Sequence, residues 1–277
     1  EKVILNTESG GVAKIEEDAE NLKQDFDSLM NDVTEIRQQL TNRNNLLEEM
    51  TKQYKILKEW LAEVNPQIPS DDKVFNDLSD KKVILEKLRV IQREAVNYDE
   101  IGNKIKSKLE QENVGTQEFD SGLKEFNDWQ QSLSKKIENI ENQVSAHEKY
   151  KQSIIDTYQW FRATTNNINE FSDPHGEKEM TLHKLEKLKL CEQSLPEGKI
   201  MMNNTIELST NVLPTCDSEG QDKIKEELKE MENDWIQLEN LQKNTIDTLE
   251  DCISSWNDFA NKSSEIDKVL KQFKDRL

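Results

Sequence analysis

Few residues of this 277-residue chain have a type and spacing that could do chemistry. There are three cysteines, Cys191, Cys216 and Cys252, and three histidines, His147, His175 and His183. A zinc site draws its four ligands from closely spaced Cys and His pairs, and here no CxxC occurs and no His stands near a Cys at such spacing. An odd number of scattered cysteines reads as reduced thiols of a cytoplasmic protein. His147 falls on an apolar helical stripe, where a packed, hydrogen-bonded core residue is expected. His175 and His183 flank a loop and a helix start, without a carboxylate or cysteine set at ligand spacing. Carboxylates are abundant, but solvated helix faces account for them. No phosphate-binding G-x-x-x-x-G-K-[ST], G-x-S-x-G or H-E-x-x-H pattern occurs. The expectation is a protein that is not an enzyme and holds no cofactor or metal.

Composition narrows the alternatives. The balance of 37 Lys+Arg against 56 Asp+Glu gives a formal charge of −19. Such a charge repels a phosphate backbone and argues against nucleic acid as partner. Only 34% of residues are apolar, below the share a single large core requires. A thin or elongated body follows. No apolar run is long enough to span a bilayer, and the N-terminal Glu-Lys-Val-Ile-Leu-Asn lacks a signal-peptide plan. Direct membrane insertion of this stretch is not expected.

The elements are read from periodicity. Val12, Ile15, Ala19, Leu22, Phe26, Leu29, Val33, Ile36, Leu40, Arg43, Leu47, Met50, Tyr54, Leu57, Leu61 and Val64 alternate by three and four, with only Arg43 polar. That spacing places one apolar stripe along a helix. No Gly or Pro interrupts it before Pro66, so the helix is about 80 Å long at roughly 1.5 Å per residue. A stripe of this period drifts by about 20° per heptad on a straight helix, so it must be packed in coiled-coil fashion against other helices. Pro66 and Pro69 end it, and Ser70-Asp71-Asp72 reads as the cap of a second helix to Glu112. Gly115-Thr116 reads as a break and cap before a third helix, which runs without Pro to Asp173-Pro174. A fourth helix leads towards Leu213-Pro214, with a kink or short break expected at Pro196. The last opens at Ser218-Glu219-Gly220-Gln221, a capping-box spacing.

Self-comparison shows a repeat. Phe26 and Phe126 are 100 residues apart, as are Trp60 and Trp160, and Trp129 and Trp235 are 106 apart. The period is too long for a solenoid of helical pairs but suits three helices of about 30 residues. Each long helix would then end one bundle and begin the next, giving a rod of tandem bundles. Trp60, Trp129, Trp160 and Trp235 are expected in the bundle cores, where large aromatics bury the most area.

These features resemble the spectrin repeats. The match rests on Trp60 in Lys58-Glu59-Trp60-Leu61, Trp160 in Gln159-Trp160-Phe161, a second Trp early in the third helix (Trp129, Trp235), and helical linkers. Ile266 departs from the expected Trp at the third first-helix position. Asp173-Pro174-His175-Gly176-Glu177-Lys178-Glu179, Ser194-Leu195-Pro196-Glu197-Gly198-Lys199 and Leu213-Pro214-Thr215 look most like repeats of nesprin-type giant linkers. The resemblance implies an all-α fold of tandem three-helix bundles joined by continuous helices. Its expected layout is residues 1–44 as the third helix of a preceding partial repeat, repeats at 45–147 and 148–252, and a helical continuation over 253–277. It further implies a cytoplasmic tether between the outer nuclear envelope and actin that recruits a cytoskeletal regulator, for example a formin. The alternatives are a homo-oligomeric coiled-coil scaffold or a spectrin- or dystrophin-type membrane–cytoskeleton crosslinker.

One feature suggests docking. In that layout Val12, Ile15, Leu22, Phe26, Leu29, Val33, Ile36 and Leu40 have no partner helices within the chain. Their burial is worth on the order of 10 kcal/mol, at ~1.5 kcal/mol per large side chain. Either adjacent repeats or another protein's helix is expected to cover them, and the chain is expected to be monomeric.

Overall fold

The absence of Gly and Pro over long stretches lets helices run to unusual length. The computed structural model describes residues 3–6, 8–112 and 117–275. In them lie α1 (Ser9–Val64), α2 (Leu78–Gln111), α3 (Gln117–Glu170), α4 (Lys178–Val212) and α5 (Ser218–Lys274), with 3-10 turns at Asn65–Gln67 and Leu213–Thr215. The class is all-α, as the periodicity predicts; among the described residues the only β-type pairing is an isolated parallel bridge between Phe75 and Cys216. The expected break at Gly115-Thr116 lies outside the described residues.

Helix starts differ in detail from the sequence reading. Ser70-Asp71-Asp72 does not cap α2. Phe75 is buried, and its backbone is held extended by bonds from its N–H to Thr215 O (3.2 Å) and from Asp217 N–H to its carbonyl (3.0 Å). Helix formation waits until Asp77, whose Oδ1 accepts from Asp80 N–H at 2.9 Å, a side-chain cap. α5 is capped one residue earlier than the Ser218 box suggests. Asp217, already extended by its pairing with Phe75, accepts from Gly220 N–H at 2.9 Å, and the Gln221 amide donates to Cys216 O at 3.0 Å. α4 passes helically through Pro196; of the kink or short break expected there, the break does not occur. The proline forfeits one backbone bond, but the turns on either side are anchored by buried Leu188, Gly198 and Met202.

Two compact units form, each discontinuous in sequence: residues up to Pro69 with Arg89–Ser134, and Ser70–Leu88 with residues from Lys135 onward. In the first, segments of α1, α2 and α3 enclose Met50, Leu57, Val64, Ile91, Ala95, Leu109, Phe126 and Leu133. Trp60 is its hub, stacked on Tyr98 at 4.5 Å and edge-on to Trp129 at 5.5 Å. In the second, the later part of α3, α4 and α5 surround Phe161, Ile168, Leu188, Met202, Met231, Trp235 and Leu249, while Phe75 and, at the start of α2, Lys81 pack on the turn before α5. Trp160 stacks on Trp235 at 6.2 Å. Trp60 and Trp235 are buried, whereas Trp129 and Trp160 are half-buried.

Gly198 lets α4 approach this aromatic pair, because a Cβ there would overlap the Trp160 ring. Gly-to-Ala changes inside helices ordinarily stabilise by up to about 1 kcal/mol. At Gly198 the overlap dominates, and Gly198→Ala is expected to destabilise by about 1–3 kcal/mol. Gly10→Ala, which meets nothing within 4 Å, is the control. Urea unfolding followed by circular dichroism checks both; equal midpoints would contradict the packing.

Candidate functional site

The candidate surface is built on α1. From Glu16 to Asn45 every residue of this helix is exposed, although apolar side chains recur at stripe spacing. Val12 and Ile15 are half-buried, while Leu22 (71%), Phe26 (59%), Leu29 (58%), Val33 (51%), Ile36 (55%) and Leu40 (59%) stand in solvent. Val33, Ile36 and Leu40 line one shallow groove with Arg37, Thr41 and Asn44. Thr34 and Thr41 fold their hydroxyls back onto Met30 O and Arg37 O at 2.7 and 2.8 Å, which satisfies them locally. Around the stripe, residues 12–44 hold eight acidic and four basic side chains, a net of −4. This is an apolar strip with acidic borders.

A second exposed run lies at the end of α5: Phe259, Ile266, Val269, Leu270 and Phe273. Phe259, Ile266, Leu270 and Phe273 recur at intervals of seven, four and three, a helical stripe, but the docking expectation covers only the α1 residues. The available signal was that the stripe on α5 continues past the last residues with partners in the chain.

A buried polar cluster is the other notable site, and sequence reasoning missed its centre. Lys81, in the first turns of α2, is fully buried. Its Nζ donates to Thr215 Oγ1 at 2.6 Å, lies 3.3 Å from His147 Nδ1 and 3.8 Å from Cys216 Sγ. The Thr215 hydroxyl donates its own proton to Val212 O at 2.7 Å, so its oxygen is free to accept. An ammonium has three protons, and three acceptors surround this one. Burial pushes the Lys81 pKa down, partly opposed by Cys216. One turn further along α3 from His147, Tyr150 donates to Glu227 Oε2 at 3.0 Å and Lys151 pairs with Glu227 Oε1 at 2.6 Å; burial drives the phenol pKa up. The signal for Lys81 was a polar residue at stripe spacing, between Leu78 and Leu85.

The remaining titratable candidates are dispersed. His175 is exposed, its Nδ1 2.7 Å from Asp173 Oδ1. All three cysteines are free thiols, and Cys252 Sγ lies 3.3 Å from Pro174 O. Among the described residues no three His, Cys, Asp or Glu side chains converge as a metal site, and no helix is long and apolar enough to cross a membrane.

Comparison with known proteins finds a similarity that runs the whole length of the chain. Over 278 aligned residues, the whole of this chain, it is 41% identical to muscle-specific protein 300 kDa of Drosophila melanogaster. The chain resembles one segment of a giant muscle protein. It spans 2% of that relative's length. No family model matches the chain, and no solved structure matches it.

His147 gives the buried cluster a pH signature. It is 2% exposed, and burial, reinforced by Lys81 and Lys151, lowers its pKa from 6.5 to about 4. Above 6.5 the imidazole is neutral folded and unfolded alike, so it contributes no pH dependence. As pH falls from 6.5 towards 4, the unfolded chain binds a proton that the folded chain refuses, and stability drops by roughly 3 kcal/mol at most. Urea midpoints between pH 7 and 4 are expected to fall less steeply in His147→Gln than in the natural chain. Parallel curves would show that His147 is not the titrating group.

Proposed function

We propose that this chain is a structural segment of a giant cytoskeletal protein, serving as a helical rod element and as a docking surface for protein. The whole-length similarity to a segment of a giant muscle protein carries this reading. It is supported by long continuous helices, which suit spanning distance and bearing load, and by the exposed stripe from Leu22 to Leu40. The finer reading is that of a nesprin-type tether built of spectrin repeats, linking the outer nuclear envelope to actin in the cytoplasm and recruiting an actin regulator such as a formin. A charge of −19 disfavours direct contact with acidic actin and favours a regulator that presents a basic, amphipathic helical face. Burial of the stripe by such a helix supplies affinity, and the acidic borders supply steering.

A homo-oligomeric scaffold is the second reading, favoured by the two exposed stripes on α1 and α5. Scattering separates the two. The tether reading expects a monomer with a longest dimension of about 130–150 Å, from roughly 50 Å per bundle plus flanking helix. A combined Leu22→Glu, Phe26→Glu and Val33→Glu variant is expected to keep its helicity and to bind a purified formin at least about tenfold more weakly than the natural chain. A dimer in light scattering would transfer the stripes to self-association. Equal formin binding by both proteins, or none by either, would overturn recruitment through this face.

A further inference from the structure

Lys81 and Cys216 meet within the second compact unit. The amine is fully buried and the thiol is 1% exposed, they come from α2 and from the turn preceding α5, and Nζ lies 3.8 Å from Sγ. Among the described residues no carboxylate lies within ion-pair distance of Lys81, so no fixed anion holds the amine away from the sulfur. An open cleft of about 570 Å³ lies next to the pair and is lined by neighbours of both, though by neither Lys81 nor Cys216 itself. His147 and Gly220 line it; the first touches Lys81, and a Cβ built on the second would sit 3.2 Å from the Cys216 Cβ.

We propose that Lys81 and Cys216 form a site of oxidative modification, in which hydrogen peroxide converts the thiol to a sulfenic acid and the lysine amine then closes on sulfur as a sulfenamide cross-link. In the first step the peroxide O–O bond breaks, one oxygen transfers to Sγ, and the other leaves as water. Sulfur is oxidised by two electrons and peroxide is reduced. In the second, the lone pair of neutral Nζ attacks Sγ, the S–N bond forms, the S–O bond breaks, and the hydroxyl departs with an amine proton as a second water. The sum is one thiol, one amine and one peroxide giving one sulfenamide and two waters. Sulfenic acids condense with nitrogen nucleophiles in this way when one is held beside them. Burial, which lowers the lysine's basicity, eases loss of the ammonium proton before attack. Thr215 Oγ1, at 2.6 Å, holds Nζ in place.

The bond would join covalently the two segments already paired through Phe75 and Cys216, within one compact unit. It would convert a clasp of hydrogen bonds into a lock that thiol reductants open. The test uses the full chain with Cys191→Ser and Cys252→Ser, which removes every possible internal disulfide. Graded hydrogen peroxide is followed by intact mass, peptide mapping and thermal melting. The expected product is about 2 Da lighter, yields a cross-linked peptide containing Lys81 and Cys216, melts at higher temperature, and reverts with dithiothreitol. Lys81→Gln is expected to give no such peptide. An unchanged mass in the folded protein would overturn the proposal. So would a product about 14 Da heavier, an N–O–S link, or one about 32 Da heavier, a sulfinic acid without cross-link.

Discussion

Each helix of this protein has one narrow apolar stripe to bury, and the rest of the structure follows from that limit. With 34% apolar residues, neither unit can build a wide core, so each fills a thin column between helices with the largest side chains available. Leu, Ile, Val and Met fill most of each column, and aromatic rings such as Trp60, Phe126, Phe161 and Trp235 supply its widest side chains. Their polar edges must then be reconciled with burial. Trp60 Nε1 donates to Glu94 at 3.3 Å and Trp129 Nε1 to Asn65 at 2.8 Å. Among the described residues Trp235 Nε1 has no partner, which costs about 1–3 kcal/mol. Lys199 over its ring at 5.2 Å and the Trp160 stack offset part of that cost.

A thin column also leaves polar side chains at stripe positions, and the second unit turns them into a specific layer. Ser153, Thr157 and Thr205 share hydroxyl hydrogen bonds of 2.7 and 3.1 Å, and Gln242 reaches Leu188 O at 2.6 Å. Lys81 belongs to the same logic. A buried ammonium is weak evidence for stability, because desolvation consumes most of what its bonds return. What it supplies is selectivity of register: a shift of α2 by one turn would strand three donors away from Thr215, His147 and Cys216. The depressed basicity of His147 fits this, since a neutral imidazole can accept from the lysine and a protonated one cannot.

The sequence made the helices legible and left their termini and polar contacts obscure, for a physical reason. Stripe spacing, proline and cap residues are local properties, so the existence of α1, α3 and α5 and most of their limits are readable from the sequence. The start of α2 is not local. Asp72 is as good a cap as Asp77 in isolation, and the choice is made by Phe75 pairing with a segment 140 residues away. Pro196 fails as a breaker for a similar reason, because packing on both sides outweighs one missing bond. His147 was legible as a core histidine from its stripe position, but its partner Lys81 was not, since nothing in the sequence brings α2 and the turn before α5 together. The exposed α1 side chains were named from the absence of partner helices in the chain, which needs only a count of stripes.

Charge separates the two exposed apolar stripes. Around the α1 stripe eight acidic side chains face four basic ones, while from Asp258 to Asp275 four acidic and four basic side chains balance. Apolar burial is non-directional and would treat the two alike. Electrostatic complementarity is not, because like charge juxtaposed across an interface costs several kcal/mol and fixes which partner is rejected. Under the proposed docking role, an acidic amphipathic helix would be turned away from α1 and tolerated at the end of α5, and a basic one would be steered to α1 at a rate that falls with salt. With the same side-chain chemistry in both stripes, the flanking lysines Lys262, Lys268, Lys271 and Lys274 are what make the end of α5 a different surface.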